Sequence, residues 1–95
     1  MYYVSIRINE NSNFMNTQIE NNLYKTADLP CASALALFCP IRTLEKNGSA
    51  KVFFVFEKTK ELEDVERKFW NKELRVDPLE FSNQMKSLKT RIYES

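Results

Sequence analysis

Asn47-Gly48-Ser49-Ala50-Lys51-Val52-Phe53-Phe54-Val55-Phe56-Glu57 is the stretch on which the fold depends. Asn-Gly accepts the positive φ angles of a type I′ turn and is a strong hairpin signal. The Val-Phe-Phe-Val-Phe run after it is β-branched and aromatic throughout, so it reads as a strand with apolar side chains on both faces. A strand of that kind needs cover on both sides. Residues 41–46 supply the first hairpin strand and 51–57 the second. A two-residue turn would pair Lys46 with Ser49, Thr43 with Val52 and Ile41 with Phe54. One face then carries Ile41, Thr43, Val52, Phe54 and Phe56, the side expected to meet the core. The other carries Arg42, Leu44, Lys46, Lys51, Phe53 and Val55, which mixes apolar groups with cations.

On the N-terminal side, Thr26-Ala27-Asp28-Leu29-Pro30 predicts a helix start. Thr26 or Asp28 can cap it, and Pro30 fits only the first turn. The helix, about 29–38, is apolar around most of its circumference and should be buried; Pro40 stops it. Cys31 and Cys39 would lie about 12 Å apart along that helix. This exceeds the roughly 4.4–6.8 Å Cα separation of a disulfide, so two buried thiols are expected. Residues 2–8 alternate, with Tyr2, Val4, Ile6 and Ile8 on one side, and predict a third strand beside the hairpin. Between them, 9–22 is rich in asparagine, and Met15, Ile19 and Leu23 at spacings of four predict a short helix there.

On the C-terminal side, Thr59 caps a helix over about 60–71 with Leu62, Val65 and Phe69 as its buried stripe. Its acids come early and its cations late, the order that complements the helix dipole. Asp77-Pro78-Leu79-Glu80 places a cap, a proline at the first helical position and an acid at the third. Phe81, Met85, Leu88 and Ile92 then form one core face of a last helix. The fold class is therefore α+β: a three-stranded antiparallel sheet packed by three helices. It forms a single domain, with residues 1–24 as a strand and Asn-rich arm and 25–95 as the core.

Thr26-Ala27-Asp28-Leu29, Val52-Phe53-Phe54-Val55-Phe56-Glu57, the run from Phe69-Trp70-Asn71 through Glu73-Leu74-Arg75-Val76-Asp77-Pro78, and Leu88-Lys89-Thr90-Arg91-Ile92-Tyr93 occur in that order. Together they resemble a small uncharacterised prokaryotic domain family of unknown function, met in bacteria, archaea and their phages, over about residues 25–93. The resemblance implies a frequent glycine where this chain has Lys72. It carries no activity, and it points toward a mobile-element protein.

Composition narrows the chemistry. A net charge of +1 supplies no global field toward nucleic acid or membrane. The absence of histidine removes the commonest general base and metal ligand. A single glycine, Gly48, leaves no phosphate-cradling loop. Ser33 and Ser87 have no histidine to activate them, and Glu61, Glu63, Asp64 and Glu66 spread over different sides of a helix start. No catalytic residue, metal site or cofactor is expected, and a cytoplasmic location is the default for such a chain.

Two binding surfaces compete. Phe53 and Val55 beside Arg42 and Lys51 form a sheet face suited to a protein partner, to a second copy of the chain in a homodimer, or to burial under the chain's own N-terminal arm. Trp70, Lys72, Arg75, Lys86, Lys89 and Tyr93 interleave cations with aromatics, as phosphate neutralisation and base stacking require. Residues 67–91 hold seven cations against three acids, a local +4. The expected function is a small non-enzymatic protein-interaction module that docks on or inhibits a host or phage protein. The alternative is a nucleic-acid-binding accessory domain using the segment 67–93.

Overall fold

A computed structural model describes residues 17–20, 22–46 and 51–94. In chain order it contains β1 (Thr17–Glu20), β2 (Leu23–Thr26), α1 (Leu29–Ala36), β3 (Ile41–Lys46), β4 (Val52–Glu57), α2 (Lys60–Trp70) and α3 (Pro78–Glu94). The strands form one antiparallel sheet in the order β1-β2-β4-β3. The α+β class, the antiparallel sheet and the three helices are as the sequence implies.

Beside the central hairpin lies β2, a strand that the sequence reading does not predict. β2 pairs with β4, Tyr24 opposite Phe56 and Thr26 opposite Phe54. Residues 2–8 lie outside the described residues. The helix expected around Met15, Ile19 and Leu23 is replaced, where the chain is described, by β1 and β2. The register Glu20 opposite Leu23 leaves a two-residue connection, and Asn22 in it has φ 64°. Asparagine is the non-glycine residue that tolerates this angle best.

The hairpin register is also corrected. Lys46 faces Val52, Leu44 faces Phe54 and Thr43 faces Val55, so the connection is longer than the two residues assumed. An irregularity between Ile41 and Thr43 puts Ile41 opposite Phe56. That extra residue lets Ile41 and Leu44, three apart in sequence, both pack on the core. The Asn47-Gly48 turn itself lies outside the described residues.

All of Val52–Phe56 is buried, as befits a strand with a neighbour on each edge. Phe54 and Phe56 join Tyr24 from β2, Cys31 and Leu35 from α1, Leu62 and Val65 from α2, and Leu88 from α3. The helices therefore cover the sheet face that carries the even-numbered residues of β4.

Each helix begins at a side-chain cap. Asp28 accepts from the Cys31 N–H at 2.8 Å, Thr59 from Leu62 at 3.1 Å and Asp77 from Glu80 at 2.9 Å. Thr26 does not cap α1 itself; its hydroxyl accepts from the Asp28 N–H at 3.1 Å and so fixes the residue that does. Helix α1 ends at Ala36, two residues early, leaving Phe38 partly exposed beyond it.

α2 ends in a Schellman arrangement. The Glu73 N–H donates to the Lys68 carbonyl at 2.9 Å and the Lys72 N–H to Phe69 at 3.2 Å, with Lys72 left-handed at φ 63°. A residue with a Cβ is disfavoured there relative to glycine. Lys72→Gly should raise the unfolding free energy by up to about 1 kcal/mol, read as a higher urea midpoint at unchanged m.

Candidate functional site

The outer face of the sheet is built from odd-numbered residues of β4 and their neighbours. Phe53 is 4% exposed and Val55 1%, although neither belongs to the cluster beneath the helices. Part of the reason is visible. Lys25 on β2 sits opposite Val55, Glu45 on β3 sits opposite Phe53, and the two join across β4 at 3.1 Å. The Lys25 side chain is only 14% exposed, so its methylenes contribute to the cover and its ammonium to the ion pair. Arg42 is exposed and bridges to Glu57, and Lys51 is exposed at the start of β4. The four residues expected to meet a partner are thus split: two cations at the surface, two apolar groups already covered within the chain.

The second set is more open. Along α3, Leu79, Lys86 and Tyr93 recur every seven residues, and Lys89 lies between the last two, so all four share one side of the helix. Phe81, Met85, Leu88 and Ile92 occupy the neighbouring flank, with Leu88 fully buried and Ile92 packed on the core. Leu79 is 69% exposed and Tyr93 84%, while Lys86 and Lys89 are exposed between them. Fourteen residues of helix separate the two ends, about 21 Å. Leu79 was missed in the sequence because it sits inside the capping signal, yet the seven-residue spacing was there to read.

The other residues of that set stand apart. Trp70 is half-buried, edge-on to Phe69 with ring centroids 4.8 Å apart, and its indole hydrogen-bonds to Glu66. It is engaged rather than offered for stacking. Lys72 and Arg75 are exposed on the connection between α2 and α3. Charge is distributed unevenly among the described residues. Arg67 and Lys68 both pair with Asp64, and Lys58 pairs with Glu63. Among the described residues, Lys72, Arg75, Lys86, Lys89 and Arg91 make no such pair.

A family profile described as a domain of unknown function, DUF5659, matches residues 21–94. The chain belongs to this family. The match takes in every described element from β2 to α3, and residues 1–20 fall outside it. No curated protein and no solved structure matches.

In this DUF5659 domain the titratable groups of the interior are muted chemically. Cys31 and Cys39 are both buried and free. Burial drives the Cys31 thiol far above its ordinary range; a hydrogen bond with Tyr24 at 3.8 Å opposes this, and Asp28 and Glu66 reinforce it. Burial, then Glu61, raises Cys39 as well. Protonated thiols are poor nucleophiles and poor ligands. Among the described residues no group of three or more Cys, Asp or Glu could hold a metal ion, and no helix is long and apolar enough to cross a membrane.

Glu66 is the carboxylate of interest. Burial raises its pKa above the usual 4.5, while hydrogen bonds from Trp70 and Tyr24 hold the rise back. An acid whose folded pKa exceeds its unfolded value keeps more protons when folded. Its contribution to stability is therefore fully present below about 4.5 and is lost as pH rises through the folded pKa. Glu66→Gln keeps an acceptor for Trp70 and Tyr24 without the charge. Urea melts at a series of pH values rising from 4.5 should show the wild type losing stability relative to Glu66→Gln as pH rises.

Proposed function

We propose that this DUF5659 domain is a non-enzymatic protein-interaction module whose docking surface is the outer side of α3, not the sheet. The observation that carries the reading is the pairing of Leu79, 69% exposed, with Tyr93, 84% exposed, at the two ends of one helix side. Two large side chains held in water on a rigid helix are suited to anchor a partner, and tyrosine is enriched at binding hot spots. Lys86 and Lys89 between them favour a partner with an acidic rim. The resemblance to a family met in phages suggests a host or phage protein, and the composition is compatible with a cytoplasmic chain. The burial of Phe53 and Val55 favours α3 over the sheet as the docking surface.

Nucleic acid is the second reading, supported by the cations of 72–91 that make no ion pair among the described residues. Leu79 has no use in neutralising phosphate, and a net charge of +1 supplies no long-range attraction, so this reading ranks second.

Capture from host lysate, with and without nuclease, separates the two. Leu79→Ala with Tyr93→Ala should abolish capture of the partner at unchanged stability, and nuclease should leave wild-type capture intact. If capture vanishes on nuclease treatment, and Lys86→Ala with Lys89→Ala flattens the salt dependence of oligonucleotide binding, the protein-partner reading fails.

A further inference from the structure

A cavity of about 230 Å³ lies where the end of α2, the connection to α3 and the first turn of α3 meet α1. Ala34, Phe69, Leu74, Val76 and Phe81 line it with carbon, and among the described residues Lys72 is its one charged lining residue. The volume exceeds the roughly 150 Å³ that admits benzene and falls short of the roughly 300 Å³ at which drug-sized sites begin. It suits a single ring or a short alkyl chain.

Two observations at Lys72 add direction. It makes no ion pair among the described residues, so its ammonium is available to an anion. It also holds a left-handed backbone, φ 63°, at a position where glycine would be easier to accommodate. A side chain kept at conformational cost on the rim of an apolar cavity is a reason to look for a function.

We propose that this cavity binds a small free carboxylic acid, its apolar body against Phe69, Leu74, Val76 and Phe81 and its carboxylate at the Lys72 ammonium. The site is separate from the outer side of α3 and does not depend on a protein partner. An apolar body alone would enter by area burial, and the cation would select the anion over its neutral counterpart.

Phenylacetate and 2-phenylethanol, similar in shape and different in charge, are the probes. Titrations followed by amide shifts should give saturable movement at Ala34, Phe69, Leu74, Val76 and Phe81. Phenylacetate should bind about fivefold more tightly than the alcohol at low salt, the scale of one partly exposed charge pair. Lys72→Gln should keep the fold, judged from its spectrum elsewhere, and bring the two affinities together. Val76→Phe, which fills the cavity from a surface connection, should block both probes. No saturable shift at those amides in the wild type, or an anion preference that survives Lys72→Gln, would overturn the proposal.

Discussion

Phe53→Asp should unfold the isolated chain at every protein concentration. Phe53 is 4% exposed, and Glu45 already sits opposite it across the ladder. The substitution forfeits about 1.5–3 kcal/mol of apolar burial. It also places a carboxylate in a site that hydrates it poorly, at a penalty of several kcal/mol. A chain of 95 residues has about 5–14 kcal/mol in total. Circular dichroism should show lost structure, and Phe53→Leu, which stays apolar, should cost only about 1–2 kcal/mol. If the sheet face were instead a docking surface, Phe53→Asp would leave a folded monomer.

The second large effect is expected on the other side of the same strand. Phe56 is fully buried, packs at 6.5 Å between ring centroids on Tyr24, and touches the cluster that joins all three helices to the sheet. Phe56→Ala removes a ring from a site whose neighbours come from four elements and cannot all close in. A cost of about 3–5 kcal/mol follows, seen as a lower urea midpoint. The residual cavity is enclosed by side chains, so the structure elsewhere should persist in whatever fraction remains folded.

These two sensitivities follow from the five-residue run that the sequence marks most plainly. Local chemistry was legible wherever one residue type does one job. Asp77-Pro78 opens α3, Thr59 opens α2, Pro40 follows α1, and Phe81, Met85, Leu88 and Ile92 space themselves as a helix face. Register was less so. Asn47-Gly48 argues for a two-residue turn on local grounds, whereas the observed pairing is fixed by what Ile41 and Leu44 bury. Their spacing of three cannot place both on one side of a regular strand, and that conflict is the sequence trace of the irregularity at Arg42.

The β1–β2 hairpin was obscured for a similar reason. Met15, Ile19 and Leu23 keep a helical spacing by coincidence, while Asn21-Asn22 offers turn chemistry between two short runs. Four-residue strands carry too few residues for period two to outvote period four. The candidate site was half legible: Lys86, Lys89 and Tyr93 emerge from helical geometry. The covering of Phe53 and Val55 draws in part on Lys25 and Glu45, twenty residues apart in sequence, meeting across β4, which no local pattern encodes.

β4 is an interior strand with a neighbour on each edge and Val52–Phe56 buried, which is why the docking surface is proposed on α3. Native-state hydrogen exchange of the Val52–Phe56 amides, measured at two widely separated protein concentrations, tests this most directly. All five amides should exchange only through global unfolding, at rates that dilution does not change. Rapid exchange of the amides facing β2, or protection that falls on dilution, would show an open edge or a face covered by a second molecule, and would contradict it.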